Sequence, residues 1–436
     1  MKTILYSVST GYFARNLLRA GVIEKLLTRS DIRIVIVTPG YDDENFVKEF
    51  SFSERIFIER MLEVRRDHDF LDALIWKLWL LGHKFGYCQH LYKILLKIQL
   101  RKRYYNKFHA YYKTVFDKYS PDLVVGATPG VNSRRDLPVF MEAMTRGIKT
   151  LALIHSWDNI ARRKGPMWIR PDKLGVWNEL QKQEAIKNNF YQAEDVIVVG
   201  PVHFDMYFRP ETFMGRDVFF KKMGLDPAKK LISIIVTAEG LVKNSYIVEI
   251  LLDALKKNKF VQPAQLLCRP TPLLAIATDE YEQEFGKYHN SSDIVMDCQP
   301  QRSPVLGWNP TREQLYHFAN LVQYADVQVS IVSTSTIEAA ILDRPAVNVG
   351  FSTIQPERFQ KLIIESVYNN HFKPVINYGS TYIAKDPEDL VRGINNYLLD
   401  PGLQSNERKL LKEALLYKTD GKAAERASQL ILSLLP

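Results

Sequence analysis

Cysteine is scarce here, with three in 436 residues (Cys88, Cys268 and Cys298), far apart and odd in number. No C-x-x-C pair occurs, so neither a disulfide framework nor a thiolate zinc site is expected, and a reducing compartment is the simplest inference. Long apolar runs are also missing. None reaches the ~18 residues that a membrane-spanning helix needs. The opening MKTILYSVST enters a strand pattern directly and lacks the apolar core and cleavage site of a secretory signal. Glycine-rich phosphate loops and H-x-x-x-H spacings are absent, and no G-x-S-x-G is present to start a Ser-His-Asp hydrolase. No metal site and no cofactor are therefore expected. Zinc-finger spacing and aromatic ribonucleoprotein motifs are lacking too, so nucleic acid is not an expected partner.

What remains is the composition of a folded chain, 46% hydrophobic and 25% charged, long enough for two or three domains. The net charge is +9, which suits phosphorylated substrates or an anionic membrane face. Much of it is local. KILLKIQLRKRYYNKFHAYYK, from Lys93 to Lys113, is rich in Lys and Arg and holds no acid, with Tyr104, Tyr105, Tyr111 and Tyr112 interleaved. LDALIWKLWLLGHKFGY just before it sets Trp76 and Trp79 among leucines. This is the composition of a surface helix resting on anionic lipid, and equally of a long amphipathic helix whose Trp and Leu residues are core.

Strand and helix patterns alternate with no hairpin signals, which argues for doubly wound parallel sheets. Lys2–Val8, Asp31–Thr38, Asp122–Ala127, Thr150–Ile154, Leu174–Trp177 and Val196–Val199 read as strands, with a long helical region over about 58–119. The pattern restarts at Leu231–Thr237 and continues through Gln265–Arg269, Ile294–Met296, Val327–Ile331 and Ala346–Val349. The expected division is 1–205, 206–400 and a helical 401–436 packing across both. In such sheets ligands bind beyond the carboxyl ends of the strands, so the cleft between two facing domains is the expected site.

The most informative run is ADVQVSIVSTSTIEAAILDRPAVNVGF, Ala325 to Phe351. Val327, Val329 and Ile331 alternate with polar residues as in a strand, and Ser333, Thr334, Ser335 and Thr336 follow before a helix. A hydroxyl-rich turn opening a helix presents N–H groups and the positive end of a dipole to a phosphate. Glu338, one turn in, is placed for ribose hydroxyls. Ser335-Thr336-Ile337-Glu338 also fits a capping box, S-x-x-E.

Other strand ends carry candidate chemistry. His155 follows TLALI with Asp158 three residues on, a pairing suited to a general base, or to a hydrogen-bonded loop. His203 and Asp205 read as structural or hinge residues, and Glu179 and Glu184 as ordinary helix N-terminal charge. In the second unit, Thr237 and Glu239 lie in a polar turn after the first strand. Arg269 ends the next strand, where a guanidinium can clamp a diphosphate. Trp308 precedes a helix as a packed loop residue or a nucleobase contact.

ADVQVSIVSTSTIEAAILDRPAVNVG resembles the nucleotide-binding segment of GT-B glycosyltransferase-like enzymes. The likeness is to the bacterial surface-polysaccharide group of CDP-glycerol glycerophosphotransferase-like and UDP-N-acetylglucosamine 2-epimerase-like proteins. LIHSWDNIARRKGPMWIRPDKLGVWNELQKQEAI, DVIVVGPVHFD and TDGKAAERASQLI are similar to further stretches of that group, so the resemblance spans most of 120–430. It implies an α/β fold of two facing Rossmann-like domains, with a basic helical insertion in the first and bridging helices at the end. It implies a nucleotide-sugar donor in the second domain, with Glu338 on the ribose and Ser333–Thr336 and Arg269 around the diphosphate; the turn of Thr237 and Glu239, at a neighbouring strand end, is read as part of the same donor site. The glycan or lipid-linked acceptor falls in the first domain, near Thr10, Gly11, Trp157 and Asn159, with His155 or Asp158 as base. The implied enzyme is a metal-independent glycosyltransferase of the cytoplasm, with a polyol-phosphate transferase, a sugar-nucleotide epimerase or a non-catalytic nucleotide- or carbohydrate-binding module as alternatives; the basic Trp- and Tyr-rich region is what would hold it against the inner membrane face. SVSTGYFARN and LIHSWDN stand where the 2-epimerases carry G-T-R-P-E and H-x-E-A-G-x-R, which argues against epimerase chemistry. The glycerophosphotransferases carry W-H-G-T where His155 is followed by Ser156-Trp157.

Overall fold

The computed structural model describes residues 1–64, 70–82, 85–131, 133–160, 166–236, 245–270, 278–298, 302–331, 333–353, 361, 364 and 372–436, with backbone alone at 86–89, 278–280 and 302. The chain divides into two compact units. Unit 1 holds Met1–Asp205, Ser303–Asn309 and Leu415–Pro436, and unit 2 holds Met206–Arg302 and Pro310–Ala414.

Unit 1 is built on a parallel sheet of β1 (Lys2–Ser7), β2 (Ile32–Thr38), β3 (Ile56–Arg60), β4 (Leu123–Gly126), β5 (Lys149–Leu153), β6 (Lys173–Val176) and β7 (Val196–Val198). Their order is β3-β2-β1-β4-β5-β6-β7, so the winding reverses between β1 and β4. Both faces are covered, and the strands are accordingly near-continuous apolar runs. Ile4, Tyr6, Ile34, Ile36, Leu123 and Val125 enter one core, and Leu5, Val35, Val37 and Val124 the other.

The helical region expected over about 58–119 begins later. Ile56–Arg60 is an edge strand in parallel register with β2, Ile34 opposite Ile56 and Ile36 opposite Ile58. The three apolar residues of I-F-I-E-R carry strand propensity too short to separate by period from a helix that follows. Helices then run Phe70–Gly82, Gly86–Gln99 and Asn106–Tyr119. Trp79, Tyr104 and Tyr112 of this region are buried in the second core, and the Trp79 indole donates to the Asn188 carbonyl at 3.2 Å.

The final helix, Ala423–Leu434, packs on the Val22–Leu26 helix through Ala424, Ala427 and Ile431, all fully buried. Small side chains allow that close approach. Asp205 anchors its start, because the carboxylate accepts from Ala423 N at 2.9 Å and Ala424 N at 2.8 Å. The hinge or structural role read for Asp205 thus takes the form of a remote helix cap. Asp205→Ala leaves two buried N–H groups without their anionic acceptor and should cost about 3 kcal/mol in denaturant unfolding. A change under about 0.5 kcal/mol would rule out this cap as a stabilising contact.

Unit 2 has a second parallel sheet, beginning with β8 (Lys230–Ile235), β9 (Ala264–Arg269) and β10 (Ile294–Met296). The chain then forms a two-stranded pair, β11 (Arg302–Ser303) and β12 (Gly307–Trp308), most of it within unit 1. It returns for β13 (Val327–Ser330), β14 (Ala346–Val349) and β15 (Tyr382–Ala384). The sheet order is β10-β9-β8-β13-β14-β15, reversing between β8 and β13. The closing helices, expected over 401–436, fall in both units. The Ser405–Leu416 helix belongs to unit 2 as far as Ala414, where buried Arg408 pairs with Asp343 at 2.7 Å, and Ala423–Leu434 belongs to unit 1. Among the described residues, no helix is long and apolar enough to cross a membrane.

Candidate functional site

In unit 1, β5 delivers His155 just beyond its carboxyl end. Two side chains hold the main chain there. Trp177 Nε1 donates to the Ile154 carbonyl at 2.8 Å, and Asn16 Nδ2 to the His155 carbonyl at 2.7 Å. The imidazole is buried, with the Phe13 ring edge-on at 4.6 Å and Tyr12 at 6.3 Å. Tyr12 in turn leans on Trp308 at 4.8 Å, and the Arg15 guanidinium lies 4.8 Å over the same indole. This aromatic and cationic group joins residues almost 300 positions apart in sequence.

The loop after His155 is a tight polar turn. Ser156 N donates to Asn159 Oδ1 at 2.9 Å, Ser156 Oγ to Asp158 Oδ1 at 2.8 Å, and Gln181 Nε2 to the Ser156 carbonyl at 3.1 Å. Asn159, expected near the acceptor, is buried and shapes this turn, while Trp157 is half-buried. Asp158 is also buried, and its charge reaches Glu184 on the Glu179–Asn189 helix. Burial, and then that neighbouring charge, push the Glu184 carboxyl up to about 7. Read in sequence as ordinary helix charge, Glu184 is thus a carboxyl that exchanges its proton near neutral pH. Helical spacing alone does not reveal it, since its partner lies 26 residues away across the strand β6.

The reversal point between β1 and β4 is a second polar cluster. Asp136 is fully buried and accepts from Ser7 Oγ at 2.6 Å and Ser9 Oγ at 2.7 Å. Burial lifts its carboxyl to about 6, against the lowering effect of those two hydroxyls. Thr10 and Gly11, expected at the acceptor, follow directly. Gly11 N donates to the Leu306 carbonyl at 2.8 Å, and a β-carbon at Gly11 would stand 1.8 Å from the Trp308 carbonyl oxygen. Arg135 reinforces the junction, donating to the carbonyls of Ser9 at 3.0 Å and Val305 at 3.2 Å. His203 lies against Trp177 and Phe204, where burial, then Arg15 and His155, hold its pKa well below the ordinary value.

In unit 2, Ser333–Thr336 stands immediately beyond β13, at the strand where the order reverses. Its four hydroxyls divide by role. Ser335 and Thr336 are buried and tied to the sheet. Ser335 Oγ accepts from Gln328 Nε2 at 3.0 Å, and Thr336 Oγ1 donates to Asn348 Oδ1 at 3.3 Å. Asn348 continues to Thr381 Oγ1 at 2.8 Å. Ser333 and Thr334 are half-buried. The capping box that S-x-x-E suggests is not formed. The Ser335–Ile341 helix has Thr334 as its N-cap, in helical conformation and with no side-chain cap bond. Glu338 is 7% exposed in the first turn.

Arg269, at the end of β9, is buried and ion-paired through Nη1 with Asp297, which also meets His317 Nε2 at 3.0 Å. Burial opposes ionisation of Asp297, but the His317 hydrogen bond and the Arg269 charge hold it at about 2. Sequence reasoning found Arg269 and missed both partners. They lie on β10's exit and on the Arg312–Tyr324 helix, each remote in sequence. Thr237 and Glu239 lie outside the described residues.

Comparison with protein-family models and with curated proteins finds no match. Solved structures do match over almost the whole chain. A UDP-GlcNAc 2-epimerase from Neisseria meningitidis bound to UDP-GlcNAc covers 99% of this chain and 100% of its own, at TM-score 0.57 and 11% identity. A glycosyltransferase from Rickettsia africae covers 99% and 97%, at TM-score 0.53 and 12% identity. The wall teichoic acid polymerase TagF covers 99% and 88%, at TM-score 0.53 and 12% identity. Identity this low establishes the shared fold and leaves activity to the chemistry of the residues.

Proposed function

From the premise that this chain has the GT-B fold, we propose that it is a glycosyltransferase moving a sugar from a nucleotide donor to a glycan or lipid-linked acceptor. The observation that carries the reading is the Ser333–Thr336 turn at the reversal point of the second sheet, the position where doubly wound sheets hold nucleotides. Two of its hydroxyls are fixed from below by Gln328 and Asn348; Ser333, whose hydroxyl accepts from Ser335 N at 3.2 Å and Ser335 Oγ at 2.9 Å and keeps its own proton to donate, and Thr334 are assigned to the diphosphate. Glu338 takes the ribose, and Arg269 adds positive charge tempered by Asp297.

In the reaction, the acceptor hydroxyl attacks the anomeric carbon as the bond from that carbon to the diphosphate oxygen breaks. His155, or Asp158 beside it, accepts the hydroxyl proton, and the nucleoside diphosphate departs with the bonding pair. A single displacement inverts the anomeric centre. Hydroxyls, main-chain N–H groups and cationic side chains meet the leaving charge without a metal ion. The setting consistent with the resemblance is bacterial surface polysaccharide synthesis in the cytoplasm, at the inner face of the membrane.

A thermal-shift screen with UDP, GDP, CDP, CMP and dTDP tests the donor assignment. A nucleotide at about 100 times its Kd adds roughly 2.7 kcal/mol, and the melting point rises accordingly. Glu338→Gln should weaken the responding nucleotide by about 10-fold or more, with the melting point of the free protein retained. Unchanged nucleotide affinity would remove Glu338 from the ribose.

One observation favours a second reading. Glu184, poised at about 7 beside Asp158, is suited to giving and taking a proton on the sugar itself, as a sugar-nucleotide epimerase requires. Incubation with a UDP-sugar and no acceptor separates the two, because only the epimerase returns an isomerised sugar nucleotide.

A further inference from the structure

The aromatic, basic region of unit 1 resolves into two faces. Trp79, Tyr92, Leu96 and Tyr104 are committed to the core. The Phe70–Gly82 and Gly86–Gln99 helices pack against each other, and among the described side chains of 70–82 and 90–99 several large apolar ones point to solvent as well. On the first, Phe70 and Leu81 stand out at i and i+11 with Lys77 between them, and Trp76 flanks the strip. On the second, Leu91, Ile94 and Ile98 follow i, i+3, i+7, and Ile94 and Ile98 are each 56% exposed. A monomeric protein surface rarely leaves such a stripe in water without a use for it.

Charge identifies what covers it. Lys97 is exposed beside the second stripe, and Arg101 and Lys102 are exposed just past the end of that helix. From Phe70 to Lys113 the only acid in the sequence is Asp72, whose side chain is 8% exposed and occupied by Gln99 at 2.9 Å and by Arg103 and Arg134. The face is therefore apolar and cationic, with its one carboxylate turned inward. Two copies meeting on it would set lysine against lysine. An anionic headgroup layer complements it, with lipid tails taking the isoleucines and phosphates the lysines. At 13 and 14 residues, neither helix is long enough to cross a bilayer.

We propose that the outward faces of the Phe70–Gly82 and Gly86–Gln99 helices lie in the headgroup plane of an anionic leaflet, with Leu91, Ile94 and Ile98 inserted and Lys97, Arg101 and Lys102 on lipid phosphates. The proposal goes beyond the catalytic reading and stands without it. The full chain is sedimented with vesicles of phosphatidylcholine alone and of phosphatidylcholine with phosphatidylglycerol. The expected result is pelleting with the anionic vesicles only, weakened by salt. Ile94→Ser with Ile98→Ser should lower partitioning about tenfold or more. Lys97→Ser with Arg101→Ser and Lys102→Ser should lower it and flatten the salt dependence. All these side chains are exposed, so melting points should stay near wild type, which separates lost binding from lost fold. Absence of pelleting with anionic vesicles overturns the proposal, as does equal partitioning of the Ile variants. A concentration-dependent dimer in sedimentation velocity, lost on Ile94→Ser with Ile98→Ser, assigns the face to a second copy and also overturns it. None of these outcomes depends on nucleotide binding or turnover.

Discussion

Gly11→Ala is expected to lower the stability of the protein by about 3 kcal/mol or more, a loss typical of overpacking against main chain. The new methyl would sit 1.8 Å from the Trp308 carbonyl oxygen and 2.6 Å from its carbon, both backbone atoms with no rotamer to change. Relief requires the Ser303–Asn309 segment to move by more than an ångström. That movement breaks the 2.8 Å bond from Gly11 N to Leu306 and unseats Leu306, which is 3% exposed in the core. Gly215→Ala is the control. Its β-carbon meets only a Val218 methyl at 4.0 Å, and with a modest loss of N-cap preference the cost should stay within about 1 kcal/mol. Urea unfolding followed by circular dichroism reads both. A Gly11→Ala protein as stable as wild type would mean that Trp308 is not seated on this turn.

His155→Gln should reduce turnover by about 10²- to 10⁴-fold, which is roughly 3 to 5 kcal/mol in the barrier, while leaving the melting-point rise from nucleotide unchanged. The separation follows from the assignment of donor contacts to unit 2 and of the base to unit 1. Glutamine keeps much of the volume beneath Phe13 and can hydrogen-bond but cannot act as a base near neutral pH, so lost packing contributes little. Release of nucleoside diphosphate in single-turnover reactions is the direct measure. Turnover within about threefold of wild type would pass the proton-accepting role to Asp158 or Glu184. Loss of the nucleotide response together with activity would instead make His155 part of the donor site.

The strands that carry the candidate site were readable because each is a buried apolar run ending in polar residues. TLALI-His155 and VQVS followed by Ser333–Thr336 show this plainly, and both stretches stand beyond the carboxyl ends of strands as expected. Ile56–Arg60 was absorbed into the following helix because three apolar residues fit either period. Side-chain commitments were harder to read. Arg269 looked like an open clamp because its partners, Asp297 and His317, lie 28 and 48 positions onward. Four hydroxyls in a row looked equivalent, and only the sheet beneath decides that Ser335 and Thr336 anchor the turn while Ser333 and Thr334 stay half-buried at its start. Trp76 and Trp79 are three residues apart in one apolar run, yet the helix sends one to the surface and the other to the core.

The excursion of Ser303–Asn309 into unit 1, and the return of Leu415–Pro436 to it, shape how this chain is made. The backbone passes between the units four times, after residues 205, 302, 309 and 414. When the first 205 residues emerge from a ribosome, the turn at Gly11 still lacks Leu306, and the Val22–Leu26 helix still lacks Ala424, Ala427 and Ile431. Contacts this distant in sequence close slowly. The leading half of the chain must therefore wait, with part of its apolar surface uncovered, until the last helix is synthesised. Dissection at residue 205 would yield a fragment without its own lid of alanines. A circular permutant that moved residues 415–436 to the front would give that half its closing helix first.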